Sequence, residues 1–149
     1  MTETSVSATR TVPAPPDKVF ALLRNPSMHA VIDGGGHVTG SRTKDAELSL
    51  GDRFTTSNRI LLPYLITNTV QEFEQDRLIA WAHVGGWRWR YELEPTEDGA
   101  ATQVTETFDW STAKSRKYVE VMGWPKRNLA NIEATLGRLA AYFEHRADL

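Results

Sequence analysis

The sequence predicts an α+β fold in which a curved antiparallel sheet of about seven strands wraps around one long C-terminal helix. Three observations carry this. A single alternating segment is followed by two short helical segments. A run of about six strand-like segments then fills the middle of the chain. An amphipathic stretch of about five helical turns closes it. The order is β-α-α-β(6)-α. The 149 residues fit a single domain, residues 1–149, large enough to bury a core without staples.

Ser5 to Val12 alternates, with Val6, Ala8 and Val12 on one side, and reads as a strand. Pro13-Ala14-Pro15-Pro16-Asp17 stops it and suits a helix start, since proline fixes φ and Asp17 places a carboxylate in the first turn. The short helix that follows carries Val19, Phe20, Leu22 and Leu23, and Asn25-Pro26 breaks it. A second short helix covers Ser27 to Ile32, and Asp33-Gly34-Gly35-Gly36 forms a flexible turn. His37 to Arg42 is a weak strand. Asp52 to Asn58 and Tyr64 to Phe73 are stronger ones. Arg77 to His83 and Trp87 to Glu94 flank Gly85-Gly86, a hairpin signal. Thr102 to Trp110 follows a turn over Pro95-Thr96-Glu97-Asp98-Gly99. Ser111 to Gly123 reads as a looser stretch. Pro125 then opens the long helix, with Leu129, Ile132, Leu136, Leu139 and Phe143 at spacings of three and four.

Composition excludes several classes. Seventeen Lys+Arg against nineteen Asp+Glu leave a net charge of -2, too little positive field for a nucleic-acid partner. With no cysteine, a disulfide framework, a thiolate metal site and a cysteine nucleophile are all excluded. The first residues lack a basic n-region and an apolar h-region, so no secretory leader is expected and the default location is cytoplasmic. The apolar run from Ile60 to Ile66 is too short to span a membrane. Lys114-Ser115-Arg116-Lys117 reads as a solvated loop. His29, His37 and His145 lack ligand spacing, so neither a metal nor another cofactor is expected. The serines lie outside any nucleophile elbow, which leaves a hydrolase triad without support.

A sheet of this size twists and curls, and a curled sheet around one helix leaves a gap suited to a small molecule. The element order resembles the helix-grip fold of the START-like, or SRPBCC, superfamily. Three segments resemble its bacterial polyketide cyclase/dehydrase-like branch. They are the passage from Val12 through Pro13, Pro16 and Asp17 to Phe20, the strand end Leu78-Ile79-Ala80-Trp81, and the strand Thr102 to Trp110. The resemblance covers nearly the whole chain. It implies an apolar cavity under the long helix and no particular reaction, since the superfamily holds enzymes, carriers and receptors.

Strand alternation assigns the faces. Trp87, Trp89, Tyr91 and Leu93 share the inner face of their strand, with Arg88, Arg90, Glu92 and Glu94 outside. Val104, Phe108 and Trp110 point inward, and the same alternation carries Glu106 inward with them. A buried carboxyl is costly unless paired or protonated. Glu106 is therefore the leading candidate for a ligand anchor or a general acid/base, with an internal pair to Arg or Tyr, or an outward bulge, as the structural alternative. His83 follows as a second, weaker catalytic candidate at the cavity mouth. The expected ligand-binding set is Phe54, Thr56, Asn68, Trp81, Trp89, Tyr91, Glu106, Phe108, Trp110, Trp124, Leu129 and Ile132. Asn58 lies on the same side as Thr56. The apolar stretches Arg59 to Pro63 and Tyr118 to Met122 read as cavity rims or as a homodimer contact. The first functional expectation is binding of a hydrophobic small molecule such as a lipid, polyketide or aromatic metabolite. The alternatives are a polyketide aromatase/cyclase-type enzyme using Glu106, and a protein-interaction adaptor.

Overall fold

The computed structural model describes residues 3–41 and 46–146. Strand β1 (Ser5–Val12) leads through two prolines into helix α1 (Pro16–Leu23). Pro15 holds the extended N-cap conformation and Asp17 sits in the first turn. The Asn25 side chain accepts from Ser27 N at 3.1 Å, which starts a 3₁₀ turn over Pro26–Met28 that runs on as helix α2 (His29–Ile32). Six strands follow in a meander: β2 (Val38–Ser41), β3 (Arg53–Arg59), β4 (Pro63–Glu74), β5 (Leu78–Ala82), β6 (Arg88–Pro95) and β7 (Thr102–Asp109). A short helix α3 (Arg116–Val121) precedes the long helix α4 (Trp124–Glu144). No described helix is long and apolar enough to cross a membrane.

The seven strands form one open antiparallel sheet in the order β1-β7-β6-β5-β4-β3-β2. Thus β1 joins the far side of the meander and the two edges of the sheet are β1 and β2. The helices α1 and α2 carry the chain from one edge to the other. α4 lies across the concave face, packed chiefly on β1 and β7 at one flank and on α2 at the other. This is the helix-grip architecture, and its strand number and element order follow the sequence pattern.

The pattern was less informative at four places. First, α3 occupies part of the stretch read as loose. Ser115 caps it, its Oγ accepting from Tyr118 N at 3.2 Å, so Arg116 and Lys117 open a helix rather than ride a loop. Only Val119 of α3 is buried, which leaves no amphipathic stripe to read. Second, β4 slips register between Val70 and Glu72. This bulge turns both Val70 and Phe73 toward the core and Glu72 to the convex face. There Glu72 meets Arg88 and Arg90, each at 2.8 Å, and Arg90 also meets Asp109 at 3.1 Å. Third, the Asp33–Gly36 segment is a turn, but a packed one. A Cβ on Gly34 would stand 2.5 Å from both Ala134 Cβ and Thr135 N. Fourth, β2 ends at Ser41, and the Arg42 end of the strand read there lies outside the described residues.

The interior has two halves. At one end Val12, Val19, Phe20, Leu23, Leu93 and Val104 fill the space under α1. Along β6 and β7 the paired residues change from Leu93 and Val104 to Tyr91 and Glu106 two positions on. α4 follows the same gradient. Leu136, Leu139 and Ala140 are buried toward its C-terminus, while Asn128, Ile132 and Thr135 are buried nearer its start. Apolar volume therefore runs out where polar side chains begin, and the sheet and helix separate there.

Candidate functional site

A cavity of about 330 Å³ opens between the first half of α4 and the concave face of the sheet. Its aromatic wall is built from neighbouring strands. Trp81 and Trp89 are register partners on β5 and β6, and Phe54 sets its ring edge on Trp81 at 5.3 Å. His29, from α2, stacks on Trp81 with ring centroids 4.7 Å apart and 20° between planes. At the mouth, Trp87 packs edge-on against His83 at 4.2 Å and against Trp124 at 5.1 Å. Tyr118 closes on the other side of Trp124 at 5.5 Å, so α3 supports the mouth. Arg127 holds its guanidinium 5.9 Å from the Trp124 ring centre.

Glu106 faces this space. It is 4 % exposed, and its Oε1 is buried with no hydrogen-bond partner. Burial raises its pKa from the ordinary 4.5 to about 8. The Tyr91 hydroxyl, from the residue directly across the strand pair, favours the ionised form by hydrogen bonding. The nearby Asp33 carboxylate opposes it. At neutral pH the side chain is mainly a carboxylic acid, able to donate one proton or to lose it. Burial also drives the Tyr91 phenol well above its usual pKa.

The remaining polar groups are held in set roles. His29 Nε2 lies 2.9 Å from the Leu23 carbonyl. A carbonyl only accepts, so Nε2 carries the proton. Burial lowers the ring's pKa to about 4, and the ring is neutral. Asp33 folds its own loop: Oδ1 accepts from Gly35 N at 3.2 Å, and Oδ2 from His37 N and Val38 N at 3.0 and 2.9 Å. Gly34 N then donates to Thr135 Oγ1 at 2.9 Å, and Arg138 donates to the Asp33 carbonyl at 3.0 Å. These bonds join the loop to α4. His83, half-buried, accepts from Gly85 N through Nδ1 at 2.9 Å, so that atom is committed to the β5–β6 turn. Burial lowers its pKa.

Of the ligand-binding residues expected from sequence, Phe54, Thr56, Asn68, Trp81, Trp89, Tyr91, Glu106, Trp124 and Ile132 line the cavity. Phe108, Trp110 and Leu129 are not among its lining residues. Phe108 is fully buried between Trp89 and Trp110, with ring centroids at 4.9 and 5.7 Å. Trp110 is closed off by α3, where its Nε1 donates to Glu120 at 3.1 Å. α4 is turned so that Asn128 rather than the half-buried Leu129 is its buried residue there. Sequence reasoning missed His29, Asp33, Asn128, Asn131 and Thr135 as cavity residues. A signal existed for the last three: Asn128 and Thr135 lie four and three positions from Ile132, and Asn131 lies three from Asn128 and four from Thr135. Asp33 before a glycine run was likewise a signature for side-chain-to-backbone bonding. His29 had none, because its ring neighbours come from strands far along the chain.

An open antiparallel sheet gripping a helix over an aromatic cavity defines the SRPBCC class of hydrophobic-cavity proteins. Within it, the chain belongs to the family described as polyketide cyclase / dehydrase and lipid transport, whose model matches residues 3–144. An uncharacterised protein of Mycobacterium tuberculosis is 39% identical over 140 residues, which cover 91% of this chain. The chain matches 62% of the length of that relative. A structure from Nitrosomonas europaea superposes with a TM-score of 0.70 at 16% identity, covering 98% of this chain and 97% of that one. A polyketide-cyclase-like protein from Corynebacterium glutamicum gives 0.63 at 22% identity, with 98% and 94% covered. These structural likenesses establish the fold.

Proposed function

We propose that this protein binds a compact hydrophobic molecule, of the aromatic or polyketide kind, between α4 and the sheet. The observation that carries the reading is the aromatic cavity of about 330 Å³ with the unpartnered Oε1 of Glu106 in its wall. A buried polar atom without a partner costs about 1–3 kcal/mol, and a ligand group bonded to it removes that cost. The volume lies at the low end for small-molecule sites and favours a compact ligand over a long lipid. Membership of a family that spans cyclases, dehydrases and lipid transport agrees with a cavity ligand without choosing a reaction. Native mass spectrometry of freshly purified protein should find a bound apolar molecule. Added 2-naphthol should also quench tryptophan emission, and Trp89→Ala should reduce that quenching. A ligand-free mass together with no fluorescence response overturns the reading.

A second reading rests on the pKa of about 8 at Glu106. A carboxyl poised near neutral pH can exchange a proton with a bound poly-carbonyl chain, as a cyclase-type enzyme requires. In that case Glu106→Gln abolishes turnover while the substrate still binds. Unchanged turnover removes Glu106 from the chemistry.

A further inference from the structure

Three groups in the cavity wall keep an acceptor to spare, Glu106 once it is ionised. Glu106 Oε1 has no partner. His29 spends its only N–H on the Leu23 carbonyl, so the lone pair of Nδ1 is what its neutral ring can still offer. Asn58, also in the wall, donates its amide hydrogens to the Thr56 carbonyl and hydroxyl, both at 2.9 Å. Its oxygen remains. A ligand that satisfies these three groups brings hydrogen-bond donors.

The charges agree. Among the described residues the groups acting on Glu106 are Tyr91 from β6 and Asp33 from the loop after α2, and no cation is among them. From α2, His29 is neutral. From α4, Arg127 is exposed at the mouth against Trp124. His37 and His83 also line the cavity, and Nδ1 of His83 is committed to its turn. An anionic head group would meet two acids and no buried counter-charge. A cationic head group would meet a carboxyl that can ionise and the faces of aromatic rings, which attract cations.

We propose that the cavity selects a small aromatic amine, its ammonium group hydrogen-bonded to Glu106 and its flat body against Trp81 and Trp89. This rests on the small-molecule reading above. Entry of an ammonium ion requires Glu106 to ionise, and its proton leaves to solvent. The ligand therefore enters with one positive charge and one proton departs.

Isothermal titration with three probes on one skeleton tests this: 2-(1-naphthyl)ethylamine, 2-(1-naphthyl)ethanol and 1-naphthylacetate. The amine should bind about tenfold more tightly than the alcohol, a typical gain from a charge-assisted hydrogen bond, and the acetate should bind most weakly. Amine affinity should rise by about fiftyfold from pH 6 to pH 8, as the ionised fraction of Glu106 grows, with proton release read from buffers of different ionisation enthalpy. In Glu106→Gln the amine should lose its advantage while the alcohol still binds. Alcohol or acetate binding as tight as the amine, or amine binding that falls as pH rises, overturns the amine assignment and leaves the small-molecule site standing. Binding of none of the three overturns both. The comparison of probes on the unaltered protein decides the matter even if the variant fails to fold.

Discussion

Glu106 ties the cavity to the stability of the fold through its proton. Its folded-state pKa of about 8 lies above the ordinary value of 4.5. Between those values the folded chain holds a proton that the unfolded chain has lost. Stability from this group therefore falls as pH rises, by about 1.4 kcal/mol per unit, and levels off above pH 8. His29 works in the opposite sense. Its pKa of about 4 lies below the ordinary 6.5, so the unfolded chain holds the extra proton and stability rises with pH across that interval. The two slopes cancel where they overlap, leaving a net decline from about pH 6.5 to about pH 8. In Glu106→Gln the rising slopes of His29 and His83, both with lowered pKa, remain. Denaturant unfolding of the variant should show stability rising to pH 6.5 and then holding level. An unaltered protein that shows no decline above pH 6.5 would mean that Glu106 is solvated in the folded state. Strand alternation placed Glu106 inside because its neighbours Val104 and Phe108 are strongly apolar. The burial that keeps His29 neutral was not legible, since it depends on Phe54 and Trp81, rings from strands far along the chain.

At the scale of elements, the loop after α2 sets how closely α4 approaches that edge of the sheet. Gly34 allows the contact, with Thr135 N and Ala134 Cβ each 2.5 Å from where a Cβ would stand. One of these is helix backbone and cannot yield. Gly34→Ala should therefore cost about 2 kcal/mol, the usual cost of overpacking, read as a lower midpoint of chemical unfolding. Gly40→Ala on β2, whose Cβ would meet nothing within 4 Å, should be near neutral. An equal effect from the two substitutions would mean that the loop does not pack on α4. β3, β6 and β7 were legible because each carries a period-two pattern with one more deeply buried face. α3 was not, since Tyr118, Val121 and Met122 remain exposed. The local cue to it was Ser115 as a cap. The β4 bulge was invisible as well, because Val70 and Phe73 read as opposite faces until the ladder fixes the extra residue between them.

Over the whole molecule, a filled half supports a hollow one, and the two compete for stability. Asn68 is buried in the cavity wall opposite Phe54 in the β3–β4 ladder. Its side chain makes no hydrogen bond among the described residues. Asn68→Leu should raise stability by about 1 kcal/mol, as cavity-filling changes commonly do, while weakening 2-(1-naphthyl)ethanol binding severalfold. Paired unfolding and titration measurements check both halves of that expectation. A variant that is less stable yet binds as well would show that Asn68 supports the fold rather than the cavity. The sequence by itself determined the element order, the inner face of each central strand, the long closing helix and the inward carboxyl, because all of these follow from short-range periodicity in one segment at a time. Only the tertiary structure decided that Phe108 and Trp110 are core while Trp87 and Trp124 form the mouth. It also decided that α4 presents Asn128 rather than Leu129, and that His29 and Asp33 belong to the wall. Each of these depends on how far a helix is rotated and how closely a loop approaches it. Those quantities are fixed by packing between distant segments and leave no periodic trace along the chain.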